Sequence, residues 1–153
     1  MGKEEGTQLM SCDPHSVLNR IVSMDGVISF KSEKQEQTEE VQMETVDHFA
    51  FLHRIGMIDL LKTDTEGYDA EVLKGGESYL HDGKIFLILV EVGFSEADRQ
   101  HSSFDAVRRL LKDYEIVGFY DQGSDGSFST LDRTDALLIN RQIARSRLVD
   151  RWA

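Results

Sequence analysis

Four charged residues stand where two apolar stretches of this sequence end. Lys62, Asp64 and Glu66 follow the run at residues 58–61, and Glu91 closes the run at residues 85–90. A carboxylate held beside a hydroxyl can take its proton as a general base. Carboxylates accept hydrogen bonds from several hydroxyls of a sugar-like ligand, and a cluster of them can ligate a hard cation such as Mg²⁺ or Ca²⁺. Asp64 and Glu91 are therefore the candidate catalytic carboxylates. Glu66 is the candidate holder of substrate hydroxyls, and Lys62 the group that pairs with a carboxylate or polarises an acceptor. Each also has a purely architectural use. Glu66 can sit at the positive end of the helix that follows it, and Lys62 can snorkel from a strand.

The elements that must position these residues are legible in the same stretch. Residues 85–90 are apolar at every position, which predicts a strand covered on both faces, as in a parallel sheet. The segment between the two runs has the length of a helical crossover. Ligands of such sheets bind outside the carboxyl ends of the strands, so neighbouring strands would bring Asp64 and Glu91 to one edge, roughly 5 Å apart laterally. Gly67 allows a sharp turn or a close backbone approach. A short helix is expected from Tyr68 to Lys74, with Gly75 as a left-handed stop.

The rest of the chain bounds the function. It has 153 residues, enough for one domain with a real core. A formal net charge of −11 argues against non-specific binding to nucleic acid or an anionic membrane. Cys12 is the only cysteine, so no internal disulfide forms and a reducing, cytoplasmic setting fits. No apolar stretch is long enough to span a membrane, and the polar start is unlike a signal peptide. Residues 1–16 lack periodicity, Asp25-Gly26 between apolar runs predicts a hairpin, and residues 32–40 read as an exposed loop. Thr45 caps a predicted helix through Arg54. The histidines lie near no cluster with ligand spacing, so no zinc site is expected. Ser102-x-x-Asp105 predicts a capping box, residues 115–120 and 136–140 predict strands joined by a Gly/Ser/Asp loop and hence antiparallel, and the Arg-rich tail predicts an amphipathic helix. The expected organisation is a single domain over 1–153: a loose or hairpin-containing segment at 1–40, an α/β core at 41–140 and a terminal helix at 141–153.

Lys62-Thr63-Asp64-Thr65-Glu66-Gly67, then Glu71-Val72-Leu73-Lys74-Gly75-Gly76, then Leu89-Val90-Glu91, resembles the signature of the FkbM family of methyltransferases. Thr45-Val46-Asp47-His48-Phe49 is similar to that family's Thr-Leu-Asp-Asp-Phe helix start, with His48 in place of the second acid. The resemblance is close over residues 41–92. It implies a class I, Rossmann-like sheet of parallel strands with an antiparallel closing strand. It also implies S-adenosylmethionine as cofactor and an oxygen of a small molecule or glycan as methyl acceptor. No Gly-x-Gly element precedes residue 45, where the resemblance places the loop that approaches the cofactor. The expectation is thus a domain truncated on its cofactor side. Such a chain would bind S-adenosylmethionine weakly or not at all by itself, and a partner chain or a second copy would complete the sheet. Two alternatives stand beside this one: a non-catalytic remnant or partner-binding subunit, and a carboxylate Mg²⁺ or Ca²⁺ site.

Overall fold

The computed structural model describes residues 2–11, 21–22, 38–95, 98, 100–123 and 131–149, without the side chains of residues 147–149. Two sheets carry the fold. The smaller is antiparallel, in the order β2-β1-β3, formed by β1 (Gly6–Ser11), β2 (Ile21–Val22) and β3 (Thr38–Met43). Residues 6–11 and 38–40, expected to be loose and a loop, are therefore strands. Their side chains are exposed or half-buried along most of their length, so no apolar alternation marked them, and it is pairing across the chain that orders them. The Asp25-Gly26 turn lies outside the described residues.

Thr45 caps α1 (Val46–Leu52) as expected: its side chain accepts a hydrogen bond from the His48 amide at 3.0 Å. The helix is shorter than predicted because Arg54 turns left-handed at φ 53°. Asp47 works at a distance. Its carboxylate accepts from the backbone amides of Ser78 and Tyr79, at 2.8 and 3.1 Å, and so holds the start of α3 (Glu77–His81).

The larger sheet is mixed, with β4 (Ile58–Thr63), β5 (Ile85–Gly93), β8 (Arg133–Asn140) and β7 (Tyr114–Gly123) in that order. The short β6 (Ser102–Ser103) pairs with the end of β5. As the apolar runs predict, β4 and β5 are parallel neighbours, Leu60 opposite Leu87 and Lys62 opposite Leu89. The strands without a helix between them are antiparallel: β8 lies between β5 and β7 and runs against both. Helices α2 (Asp69–Lys74) and α3 connect β4 to β5, α4 (Phe104–Leu110) precedes β7, and α5 (Arg141–Val149) follows β8. The fold is thus α/β with a mixed sheet.

The sheet's two faces differ. On one, Ile88, Val90, Val92, Ala136 and Leu138 are fully buried with Leu73, Val107, Leu111 and Tyr114. Tyr114 also donates its buried hydroxyl to the Ile85 carbonyl at 2.7 Å. On the other, Leu87, Leu89, Leu137 and Ile139 are only half-buried and Leu60 is exposed. The expectation that residues 85–90 are covered on both faces holds for one face among the described residues. A continuous apolar run shows that a strand is central, not that both its faces are closed.

Two local expectations are corrected. Gly75 is right-handed, at φ −67°. It is needed for close approach instead, because a Cβ there would overlap the Gly2 carbonyl oxygen. Ser102 forms no capping box: it lies in β6, and Ser103 is the N-cap of α4 with no side-chain hydrogen bond.

Candidate functional site

The carboxyl ends of β4 and β5 open on a polar cavity of about 450 Å³. The alternation of β4 puts Lys62 on the uncovered face, and Asp64 follows at the strand's end. Glu66 and Gly67 turn the chain, at φ 52° and φ 90°. A Cβ on Gly67 would stand 2.8 Å from the Gln100 carbonyl oxygen, so the glycine lets this turn lie against the segment that carries His101. Ser102 ties the two together. Its hydroxyl donates to the Gly67 carbonyl and accepts from the Ala70 amide, both at 3.1 Å. Capture of Ser102 by this turn is the physical reason the capping box does not form.

All four residues singled out from the sequence, Lys62, Asp64, Glu66 and Glu91, line this one cavity. Lys62 donates to Asp64 at 3.2 Å, and this hydrogen bond raises the lysine's pKa. Both side chains are about half exposed. Glu91 is nearly closed off, with 11% of its side chain exposed. Burial raises its pKa above the ordinary carboxylate value, while His101 and Arg133 pull the other way. Arg133 donates to Glu91 Oε1 at 2.9 Å, and His101 Nε2 lies 3.6 Å from the same oxygen.

The structure adds residues that sequence reasoning missed. His101, Asp98 and Arg133 form a shell around Glu91, and Gln100, Asp121 and Asp135 complete the cavity wall. Arg133 arrives through strand register, since Gly93 pairs with Arg133 and Glu91 with Asp135. Asp121 sits at a register shift in β7 and is left-handed, at φ 47°. Bulges commonly re-aim side chains next to active sites. Two of the three left-handed non-glycine residues among the described ones, Glu66 and Asp121, line this cavity. Backbone strain of this kind concentrates at functional positions. The spacing Asp98-x-x-His101 is the one local signal that could have pointed to the pair, and only the fold brings His101 to Glu91.

Five carboxylates face Lys62 and Arg133 across the cavity. Such a wall suits a neutral polyhydroxylated ligand or a cation, and repels phosphate-bearing ones. No group of His, Cys, Asp and Glu with metal-site geometry occurs among the described residues.

Fold and cavity together define an α/β protein with a polar crevice at the carboxyl ends of two parallel strands. The family model described as "Methyltransferase FkbM domain" matches residues 1–116. The chain belongs to that family, and the match extends over the small antiparallel sheet as well as the stretch whose residues carry the resemblance. A search among curated proteins and one among solved structures gave no match.

The cofactor implied by the family is S-adenosylmethionine. Among the described residues no glycine-rich turn follows a parallel strand ahead of β4. The space beside Gly67 is filled by the Gln100 backbone, that beside Gly75 by the Gly2 backbone and that beside Gly93 by the Asp98 side chain. The described residues therefore do not form a cradle for an adenosyl group. They do form a polar pocket at the carboxyl ends of β4 and β5.

Proposed function

We propose that this chain supplies the acceptor side of a class I, FkbM-type methyltransferase, which methylates an oxygen of a small molecule or sugar. The observation that carries this is the convergence of Lys62, Asp64, Glu66 and Glu91 on one cavity at the carboxyl ends of β4 and β5. Asp64 and Glu91 are the catalytic carboxylates, which orient the acceptor hydroxyl. Glu66 and Lys62 bind the remaining polar groups of the acceptor. Positioning a hydroxyl in this way removes much of the entropic barrier to a displacement. The methyl donor is S-adenosylmethionine. The setting is the cytoplasm, in keeping with a lone cysteine.

A second reading is favoured by a different observation. The outer edge of β4 has no partner strand among the described residues, and Leu60 and Met57 beside it are exposed. Unpaired edges are templates for another chain. A partner or second copy docked there would complete the sheet, whether or not this chain is catalytic.

Calorimetry with S-adenosylmethionine, followed by transfer of a labelled methyl group to a panel of sugars, tests the proposal. The expected result is weak or no binding to the chain alone, with binding and transfer gained when a partner completes the β4 edge. Micromolar binding by the isolated chain would show that no partner is needed. Absence of transfer under every condition would favour the non-catalytic reading.

A further inference from the structure

Three side chains around Glu91 have no part in the function proposed above: Asp98, His101 and Arg133. Asp98 is held by the backbone, since its Oδ1 accepts from the amides of Gln100 and His101 at 2.8 and 3.1 Å. Its Oδ2 lies 2.8 Å from His101 Nδ1. Burial alone would raise the Asp98 pKa, but the hydrogen bonds from the Gln100 amide and from His101 outweigh it and leave the carboxyl below the ordinary value. An ionised carboxylate can only accept, so the proton between the two belongs to Nδ1. The lone pair of the neutral ring is then on Nε2. That nitrogen faces the cavity, 3.6 Å from Glu91 Oε1, too far for a hydrogen bond. The same Glu91 oxygen is occupied by Arg133 at 2.9 Å.

We propose that His101, oriented by Asp98, receives the proton of the acceptor hydroxyl at Nε2. This inference rests on the methyl-transfer reading and refines it, leaving Asp64 and Glu91 to orient the hydroxyl. The bond changes are simple. The O–H bond breaks and Nε2–H forms; the oxygen keeps that electron pair for its new bond to the methyl carbon, whose bond to the sulfur of a sulfonium donor breaks with its pair leaving on the sulfur as a neutral thioether. The resulting imidazolium lies between Asp98 and Glu91, whose negative charges stabilise it, and its proton returns to solvent through the open cavity. His101 suits the task better than Asp64 by its placement, since its Nδ1 is held by Asp98 and its ring lines the cavity. Asp64 is instead a half-exposed carboxylate already paired with Lys62. The arrangement has a base, an orienting carboxylate and a cavity beyond, the order found wherever a histidine is made a directed base. His101 is the proton acceptor here and Asp98 a positioning residue.

The test is nitrogen NMR of the full chain with ¹⁵N-labelled histidine, together with acylation by diethyl pyrocarbonate, which on a histidine ring attacks an accessible unprotonated nitrogen. The groups facing His101 are Asp98 and Glu91, with Arg133 beyond Glu91. In the native chain the single ring proton of His101 should sit on Nδ1, facing Asp98, and leave Nε2 unprotonated. Diethyl pyrocarbonate should label Nε2. In Asp98→Asn the amide can face Nδ1 as a donor, so the proton should move to Nε2 and the labelling should be lost. A proton found on Nε2 in the native chain overturns the proposal and makes His101 an ion-pair link between two carboxylates. The native-chain measurement decides the matter even if the variant fails to fold. No methyl donor is used, so an inactive preparation counts against the methyl-transfer reading and not against the direction of this proton.

Discussion

Asp69 and Glu91 are the two acids buried among the described residues, and they teach opposite lessons. Burial raises the pKa of both. Asp69 stands at the start of α2 with no exposed surface. Its two oxygens and the hydroxyls of Thr63 and Thr65 are shut in without a hydrogen-bond partner. The threonine hydroxyls are close enough to offset part of the cost of that burial. Glu91 is a little less buried but looks onto the cavity, with a guanidinium at 2.9 Å and an imidazole at 3.6 Å. A displaced pKa marks removal from water in either place. What separates a site from a closed pocket is access and a neighbour of opposite charge.

If that contrast is right, the cavity side should answer to substitution in rate and the closed side in stability. The largest effect is expected for Asp64→Asn. Asparagine keeps the shape and one acceptor, but loses the charge that pairs with Lys62 and orients the hydroxyl. Methyl transfer by an active preparation should fall on the order of 10²-fold through lost positioning, while the melting temperature hardly moves because the side chain is half exposed. Rate and melting temperature are to be measured on the same sample. A variant that melts earlier but keeps its rate would make Asp64 structural and shift the catalytic assignment to Glu91 or beyond this chain.

Gly67→Ala should sharpen the contrast from the middle, because Gly67 joins the two regions. It lies between Glu66, which lines the cavity, and the turn into α2 that carries Asp69. Alanine would have to hold φ near 90° and would meet the Gln100 carbonyl oxygen at 2.8 Å. Backbone strain and overpacking together should cost about 2–4 kcal/mol in urea unfolding. The displaced segment carries His101, so its NMR signal should shift as well. An unchanged urea midpoint would mean that the turn and the Gln100 segment do not pack as described.

Much of this was legible before the fold was known, for physical reasons that can be named. The runs at 58–61 and 85–90 announce strands because they are apolar where water would otherwise be, and a crossover between them makes the strands parallel. That geometry alone takes Lys62, Asp64, Glu66 and Glu91 to one edge. The small sheet was not legible, because its strands are exposed or half-buried along most of their length and carry no alternation. Nor was the shell of Glu91. Arg133 is 42 positions away from Glu91 and reaches it only through the register of an antiparallel pair. Ser102 shows how a strong local motif can lose: its hydroxyl serves a turn 35 positions upstream in the chain rather than its own helix.

The smallest expected effect is also the cleanest test of the closed pocket. Asp69→Asn keeps the shape of the side chain and removes its titration. In the native chain the Asp69 pKa is raised, and in the unfolded chain it returns to about 3.8. Between those two values the folded protein binds more protons than the unfolded one, so this group's contribution to stability falls as pH rises. It is fully present below the unfolded value and lost as pH climbs through the folded one. The variant has no such loss. Urea midpoints of the two proteins should therefore lie closest near pH ~4, with the variant gaining on the native chain toward pH ~7. Asp98 and the other acids titrate in both proteins and cancel in the difference. A native chain that instead gains on the variant as pH rises would mean that Asp69 is held charged by a partner, and the contrast with Glu91 would collapse: the closed pocket would then be a second site.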